Sequence, residues 1–424
     1  MTSGRSVTLV LCTDEDGVIG ALPPFEAARP HWQEADGVVA GALARYGLHV
    51  TVLRILRNVV QPSGDARPVP GLPELTYLAE IDPADVRRAA ALVGPWPGPD
   101  PLADHPLRMP WARPGGPAED VAWALAALAA AGRTAAGPPV QMRTWNLSSL
   151  WRLPATDGDG RPAEAWLKVV PRFFAHEGLV LEHLRGTDAV PVLLARGGGP
   201  AGTGRVLLDA VPGEDCYGAA AERVAGFAAL LARLQRVAAG SADDLVAAGV
   251  PDRRGAAPLV AEAARLVDLV EAGEGGAGSL TPVEVDEARR LVDTLPDLLA
   301  REAACGVPVT LVHGDFHPGN VRGVPGRWRI LDWGDSCVGR PAVDLVTAGE
   351  DLDPAGRRAV VEAAAAVWGP DVDLAGAAQV ARPLAPLRAA LAWQRFLDGI
   401  EPDEWLYHQG DPAAGLHGAL AAFH

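Results

Sequence analysis

Short apolar runs separated by turn residues dominate the first 112 positions, a pattern typical of strands. We predict strands at Val7–Cys12, Val50–Leu56 and Leu75–Ile81. The chain between the first two predicts a helix over 34–46, and Gly47 is placed to end it. This part of the chain is therefore expected to form a small α/β domain.

Proline and glycine crowd residues 94–116, a composition typical of a boundary between domains. We predict a first domain over 1–112 and a linker over 113–140 that contains a helix. The stretch 141–212 is rich in predicted strands, whereas 213–424 is mainly helical. The chain as a whole is expected to be of the α+β class.

The strand-rich stretch begins with two strands, Trp145–Leu153 and Ala165–Val170, which flank a Gly/Asp turn. A helix is predicted over Phe174–Leu184. Shorter strands follow near Val190–Leu194 and Arg205–Leu208. A small sheet with one helix is therefore expected here.

One helix of the later part has a well-specified beginning. Thr281 can cap it, Pro282 fits its first position, and Glu284 completes a capping box. The helix is expected to run to about Ala304, and an extended segment is predicted at Val309–Val312.

The net charge of −16 at pH 7 makes nucleic acid an unfavourable partner, because phosphate backbones bind to basic faces. The same charge disfavours anionic membranes, and no stretch has the roughly 18–20 apolar residues that span a bilayer. The 4 cysteines are scattered without CxxC spacing, so we expect reduced thiols in a cytoplasmic protein.

After the extended segment the chain reads HGDFHPGN at 313–320, and ILDWGDS follows at 330–336. These motifs place Asp315, Asn320 and Asp332 on loops at the ends of short strands, where scaffolds present reactive groups. Oxygen ligands from Asn and Asp suit Mg²⁺, and a further carboxylate can accept a proton from a hydroxyl. Phosphoryl transfer requires little more than these groups and a cation that holds the phosphates.

Lys168 is the only lysine of the chain and lies in a short apolar run with strand character. A lysine on a strand, paired with a glutamate of the next helix, holds the nucleotide phosphates in kinase-type enzymes. Glu177 and Glu182 both lie on the predicted helix, but five residues apart they point to different faces. We favour Glu177, because it lies at the beginning of the apolar run of that helix.

The two motifs, together with Pro341 and Asp344 downstream, closely resemble the aminoglycoside phosphotransferase family, which groups with choline kinases and other small-molecule kinases. The resemblance covers roughly 141–424. It implies a bilobal protein-kinase-like fold, with an antiparallel-sheet N-lobe over 141–212 and a mainly helical C-lobe over 213–424. It also implies ATP as phosphoryl donor, with GTP left open, and Mg²⁺ as the metal.

Carried over to this chain, the resemblance gives roles to individual residues. Asp315 is the expected catalytic base, and Asn320 and Asp332 are the expected Mg²⁺ ligands. Lys168, braced by Glu177, is expected to hold the nucleotide phosphates.

Further residues are expected to complete this site. His313 and Asp344 are expected to support the catalytic loop, and His317 to stabilise its turn. Ser148 and Ser149 occupy the place of the loop over the phosphates. Because that loop is not rich in glycine here, serine hydroxyls and backbone N–H groups are expected to contact the phosphates.

The first domain resembles a degenerate Nudix fold, with an early strand, an Asp-Gly turn and a helix that Gly47 ends. Nudix hydrolases hold metals with a glutamate-rich helix, but the corresponding stretch, Ala40–Arg45, contains no carboxylate. The resemblance therefore implies an accessory domain with a scaffolding, binding or dimerising role.

The expected function is an ATP- and Mg²⁺-dependent kinase that acts on a hydroxyl of a small molecule. The last 84 residues hold 12 acidic side chains against 5 arginines, which favours a cationic, amine-bearing acceptor. One alternative is a pseudokinase that binds nucleotide without transferring phosphate. Another is a metallophosphoesterase, but that chemistry needs Gly-Asn followed by His, and Val321 follows Asn320 here.

Overall fold

A computed structural model describes residues 4–28, 31–59 and 74–423. The chain divides into two compact units: unit 1 holds Met1–Ala175 and Leu194–Ala210, and unit 2 holds His176–Leu193 and Val211–His424. None of the helices in the described stretches combines the length and apolar character needed to cross a membrane.

Unit 1 is built mainly from strands. They are β1 (Arg5–Thr13), β2 (Gly17–Ala21), β3 (Phe25–Ala27), β4 (Val50–Val59), β5 (Glu74–Ile81), β6 (Thr134–Ala135), β7 (Val140–Trp145), β8 (Ser148–Thr156), β9 (Pro162–Val170), β10 (Leu193–Gly198) and β11 (Gly204–Asp209). Its helices are α1 (Asp36–Tyr46), α2 (Val86–Ala90) and α3 (Gly116–Ala130).

The first sheet has the order β2-β1-β5-β4, and β3 also pairs with β1. β1 and β5 run parallel, whereas β2, β3 and β4 pair antiparallel with their neighbours. The predicted strands and helix of this part are confirmed. α1 ends at Gly47, whose φ of 64° lies in the left-handed region that glycine adopts without strain. The Nudix-like resemblance stays a prediction.

The second sheet has the order β10-β11-β9-β8-β6, with β7 also on β8. The pairings of β9 with β8 and β11, and of β8 with β7, are antiparallel, as predicted for the N-lobe. The single strand predicted at Trp145–Leu153 is wrong, because Trp145 ends β7 and the chain reverses at Asn146–Leu147 before β8. This two-residue turn contains no glycine or proline. The apolar pattern therefore continues across it and predicts one strand where the structure has two.

The helix predicted within the linker is α3, and it packs on the second sheet. Ala124 and Leu128 of α3 lie in one buried cluster with Leu153, Leu167 and Leu207. The Asp120 carboxylate, which is 1% exposed, accepts a hydrogen bond of 2.7 Å from Arg205 Nε. The segment is therefore part of the core of unit 1.

The two sheets of unit 1 are joined through β7. The buried Gln141 amide accepts from Val52 N at 2.9 Å and donates to Val52 O at 2.7 Å, at an irregularity in the register of β4. Trp111 Nε1 donates to Trp145 O at 2.9 Å, at the end of β7. Residues of the first 112 positions therefore form hydrogen bonds to β7, the strand that leads into the predicted phosphate loop.

Unit 2 is mainly helical. Its helices are α4 (Glu177–His183), α5 (Ala221–Ala238), α6 (Ala242–Ala248), α7 (Ala256–Ala272), α8 (Pro282–Ala304), α9 (Ala342–Ala348), α10 (Pro354–Trp368), α11 (Leu374–Gly399) and α12 (Asp411–Phe423). Its strands are β12 (Glu214–Asp215), β13 (Thr310–Val312), β14 (Val321–Val324), β15 (Arg327–Ile330) and β16 (Cys337–Gly339).

The helix predicted from its capping box is confirmed as α8. Thr281 Oγ1 accepts from Glu284 N at 3.4 Å, and the Glu284 carboxylate accepts from Thr281 N at 2.8 Å. The predicted helix Phe174–Leu184 begins later than expected, at Glu177, because 172–174 form a separate 3₁₀ turn after Pro171.

Candidate active site

The predicted catalytic loop begins directly after β13, which pairs antiparallel with β16. Gly314 has a φ of 88°, and a Cβ at this position would lie 2.3 Å from the Asp335 carbonyl oxygen. Only glycine therefore allows the loop of 313–320 to approach the segment around Asp335 so closely.

The Asp344 carboxylate fixes this loop through hydrogen bonds to its backbone. Its Oδ1 accepts from Gly314 N at 2.9 Å, and its Oδ2 accepts from His313 N at 2.9 Å and from Gln235 Nε2 at 2.8 Å. Burial keeps the pKa of the Asp344 carboxyl above its usual value, and the adjacent His313 and the N–H donors offset this only in part. The side chain is 1% exposed, so its contacts are those of a structural support.

His313 connects the two motifs. Its Nε2 lies 2.9 Å from Leu331 O, and its Nδ1 lies 3.4 Å from Asp315 N. These partners assign the proton to Nε2, which donates to the carbonyl, and leave Nδ1 as an acceptor. The histidine is fully buried and does not reach the surface of the site.

Asp315 and Asn320 are brought together by a 3₁₀ turn at Pro318–Asn320. Asn320 Nδ2 donates to Asp315 O at 2.9 Å and to Asp315 Oδ2 at 3.1 Å. The Asp315 side chain is 50% exposed, and none of the described residues donates a hydrogen bond to its Oδ1. One carboxylate oxygen is thus oriented by Asn320, and the other accepts no hydrogen bond from a described residue.

Asp332 lies at the same end of the β14–β15 hairpin as Asn320. Leu331 N donates to Asn320 O at 2.8 Å, so Asp332 follows one residue beyond that bond. Its φ of 61° and ψ of 65° are left-handed, a conformation that is unfavourable for a residue with a Cβ. Such strain is typical of residues that a functional site holds in place.

His317 begins the turn that carries Asn320. Its Nδ1 accepts from Gly319 N at 3.1 Å, and its Nε2 lies 3.6 Å from Asp315 Oδ2. The nearby Asp315 carboxylate raises the pKa of His317, against the effect of burial. These contacts are those of a residue that stabilises the turn.

Glu177 lies in the first turn of α4 and is 1% exposed, whereas Glu182 is exposed and pairs with Arg185 at 3.0 Å. The structure therefore agrees that Glu177 is the inward-facing member of the two. Glu177 Oε1 accepts from Trp333 N at 3.3 Å, which ties α4 to the residue after Asp332.

Lys168 lies on β9, opposite Leu150 of β8 and Val206 of β11. It alternates with Leu167 and Val169, which are buried on the other face of the sheet. Lys168 belongs to unit 1, whereas the late loops belong to unit 2.

The two predicted serines lie where β8 begins. Ser148 Oγ accepts from Trp145 Nε1 at 2.8 Å across the turn. Ser149 pairs with Val169, is 1% exposed, and accepts from Trp151 Nε1 at 3.0 Å. The Ser149 hydroxyl therefore lies on the core face and not on the face of Lys168, which argues against its predicted contact with phosphate.

The donor set at the late loops fits Mg²⁺. Asn320 uses Nδ2 to hold Asp315, and no described residue donates to its Oδ1, which is the atom a cation would take. In the described part of the chain, no group of three or more His, Cys, Asp and Glu side chains is arranged to hold a metal. Asn320 and Asp332 would therefore share the cation with phosphate oxygens and water, as Mg²⁺ prefers.

A cavity of about 70 Å³ in unit 2 adds residues that the sequence did not single out. Gly314 lies on its wall, as do His176, Arg253, Arg388 and Arg395. His176 Nε2 donates to Ser336 O at 2.8 Å, and burial lowers the pKa of His176 to about 4. One feature of the sequence could have indicated these residues. Arg388 and Arg395 are seven residues apart on α11, and this spacing places two cations on one face of the helix.

The chain is similar to solved structures of small-molecule kinases. Macrolide 2'-phosphotransferase MphH from Brachybacterium faecium is 19% identical, with 70% of this chain and 96% of that chain covered and a TM-score of 0.46. Aminoglycoside 2'-phosphotransferase-IIIa is 16% identical, with 68% of this chain and 94% of that chain covered and a TM-score of 0.49. Choline kinase from Cryptosporidium parvum Iowa II is 12% identical, with 68% of this chain and 88% of that chain covered and a TM-score of 0.47. No curated relative matches the chain.

A family comparison is more direct. The model of the phosphotransferase enzyme family (APH) matches residues 158–384, more than half of the chain. The matched span contains Lys168, Glu177 and both late motifs. It confirms the predicted relationship, the kinase-type fold and the class of phosphotransferases that act on a hydroxyl. The chain therefore belongs to the phosphotransferase enzyme family.

Proposed function

We propose that this protein transfers the γ-phosphoryl group of ATP to a hydroxyl of a small molecule and requires Mg²⁺. The observation that carries the proposal is the arrangement of Asp315, Asn320 and Asp332 at one end of the β14–β15 hairpin. One oxygen of Asp315 is fixed by Asn320, and the other has no donor among the described residues.

Asp315 is proposed to accept the proton of the acceptor hydroxyl while the oxygen bonds to the γ-phosphorus. The bond from that phosphorus to the β–γ bridging oxygen breaks, and ADP leaves. Asn320 keeps the Asp315 carboxylate in one orientation through its bond of 3.1 Å to Oδ2. Asn320 Oδ1 and the Asp332 carboxylate would hold Mg²⁺, which neutralises charge on the phosphate oxygens when bound.

Lys168 is proposed to hold the phosphates of the nucleotide, with Glu177 as its partner. A lysine places a compact charge on a flexible stem, whereas arginine is a larger planar fork. Lys168→Arg should therefore be nearly as inactive as Lys168→Ala. Arg161→Lys, at an exposed position of the β8–β9 turn, is the matched control and should keep full activity.

The test of the proposal has two parts. The first is the thermal stabilisation of the protein by ATP with and without Mg²⁺. The second is ADP formation with a panel of neutral, cationic and anionic alcohols. We expect stabilisation that requires Mg²⁺ and turnover that requires an acceptor. Stabilisation without turnover across the whole panel would favour the pseudokinase, and the absence of both would overturn nucleotide binding.

A further inference from the structure

The cavity beside the catalytic loop has an unusual set of charged groups. Arg253, Arg388 and Arg395 line it, against the carboxylates of Glu262 and Asp335. Glu262 accepts from Arg253 Nη1 at 2.5 Å and lies 4.0 Å from Arg395 Nη2. A single carboxylate thus serves two guanidinium groups.

The third guanidinium is that of Arg388. It acts electrostatically on the buried carboxylate of Glu302, which does not line the cavity, yet one of its own donors has no acceptor. Arg388 Nη2 donates to Arg253 O at 3.3 Å, and its Nε is buried without a hydrogen-bond partner among the described residues.

Burial lowers the pKa of Arg395, and so does the charge of Arg253. The carboxylates of Glu262 and Asp335 act in the opposite direction on this pKa. The side chains of Arg395 and Arg253 are 36% and 22% exposed, so an anion that entered the cavity would reach their guanidinium groups and pair with them in a partly desolvated setting.

The rest of the wall adds no charge of its own. His176 is neutral near pH 7 because burial lowers its pKa to about 4, and Cys337 is a thiol because burial raises its pKa to about 11. The remaining lining includes Leu259 and Leu391. A volume of about 70 Å³ exceeds what one water needs and admits a compact group such as a carboxylate or phosphate.

The position of the cavity connects it to the proposed reaction. Gly314, on its wall, directly precedes Asp315, and Asp335 lies three residues after Asp332. The cavity therefore borders the segment that carries Asp315.

We propose that Arg253, Arg388 and Arg395 bind an anionic group, a carboxylate or a phosphate, of the acceptor molecule, an inference that rests on the proposed function. The acceptor is then a hydroxy acid or a phosphorylated alcohol. It differs from the cationic acceptor that the acidic balance of the last 84 residues favours. Guanidinium groups suit this role because their planar forks match carboxylate and phosphate oxygens.

The first test compares acceptors by kcat/KM: glycerate and malate, glycerol phosphate, the methyl esters of the two acids, and ethanolamine. We expect an acid or the phosphate ester to be preferred over the esters and the amine. Arg395→Gln and Arg388→Gln should raise KM for that acceptor by roughly 10-fold to 100-fold and leave kcat nearly unchanged. Arg382→Gln, on the exposed face of the same helix, is the matched control and should change neither.

The second test does not depend on turnover. Sodium malonate and sodium phosphate should each raise the melting temperature above that in sodium chloride at equal ionic strength. The rise should persist in Arg382→Gln and fall to less than half in Arg395→Gln. Arg388→Gln provides a second variant at the cavity, so that a folding defect in one variant does not decide the test.

The outcomes separate the two proposals. Preference for ethanolamine with sustained turnover would overturn the anionic acceptor while the kinase function stands. An equal rise of melting temperature in all variants would also overturn it. A rise lost in both cavity variants, with no acceptor phosphorylated, would support the anion site and count against the kinase function. If the two cavity variants raise KM more for glycerol phosphate than for the acids, the site is assigned to a phosphate group.

Discussion

The catalytic loop and the arginine-lined cavity share Gly314, yet their polar groups are satisfied in different ways. Beneath the loop, one buried carboxylate, Asp344, accepts from three N–H donors of the protein itself. Three guanidinium groups and two carboxylates line the cavity, and Arg388 Nε has no hydrogen-bond partner among the described residues. The hydrogen bonds of the first arrangement are complete within the protein, whereas the second is the one that we propose to bind an anion.

The largest effect should come from the loop itself. Asp315→Asn removes the proposed proton acceptor but keeps an acceptor oxygen for Asn320, so the fold should be unaffected. We expect kcat to fall by about 10²–10⁴-fold, the usual contribution of a general base, with ATP affinity nearly unchanged. Steady-state kinetics and nucleotide titration measure the two quantities. Glu350→Gln, at an exposed position of unit 2, serves as the control, and a comparable loss there would contradict the assignment.

Much of this loop was predictable, because its chemistry is local in sequence. Asp315 and Asn320 are five residues apart around a Pro-Gly turn, and a short hairpin leads to Asp332. The capping box at Thr281 predicted the beginning of α8 for the same reason, since its two residues, Thr281 and Glu284, are only three positions apart.

The cavity was not predictable in this way. Arg253, Glu262, Asp335 and Arg388 come from distant segments of the chain, and only tertiary packing brings them together. Ser149 illustrates a second limit. A turn that no glycine or proline marks sets the register of β8, and register alone decides which face a side chain occupies.

The hydrogen bonds of Asp344 that support the catalytic loop can be removed without changing Asp315. Asp344→Ala would leave the N–H groups of His313 and Gly314 and the Gln235 amide without an acceptor. Since each buried orphan donor costs about 1–3 kcal/mol, we expect the free energy of unfolding to fall by about 3 kcal/mol or more. Urea denaturation measures it, and Asp344→Asn, which keeps an acceptor oxygen, should lose less. Equal stability of wild type and Asp344→Ala would refute this role.

Acid should destabilise the cavity side of unit 2 through His176. Its pKa is near 6.5 when unfolded and about 4 in the fold, because burial disfavours the imidazolium. As the pH falls from 6.5 to 4, the unfolded state binds the proton first, so the free energy of unfolding decreases. The full decrease is about 3 kcal/mol.

Denaturation curves at several pH values test this effect. His176→Gln should reduce the pH dependence between 6.5 and 4, because glutamine can still donate to Ser336 O without titrating. The part that remains should come from His408, since burial lowers its pKa to about 4 as well. His183→Gln, at an exposed position of α4, is the matched control and should keep the wild-type slope. An unchanged slope in His176→Gln would show that another group is responsible.

The smallest effect is expected far from both regions, at the connection between the sheets of unit 1. Gln141→Leu removes the partner of both Val52 N and Val52 O. We expect a loss of about 2 kcal/mol in the free energy of unfolding. Arg143→Leu, an exposed position on the same strand, should cost much less, and an equal loss in both variants would contradict the role of the Gln141 amide.

The most direct test of the site concerns the cation at Asn320 and Asp332. Isothermal titration of ATP into wild type and Asp332→Asn, each with Mg²⁺ and with EDTA, measures how far Mg²⁺ strengthens nucleotide binding. We predict a marked strengthening in the wild type that is largely lost in the variant, with equal affinity for both proteins in EDTA. The same dependence on Mg²⁺ in both proteins would contradict the assignment of Asp332 as a metal ligand.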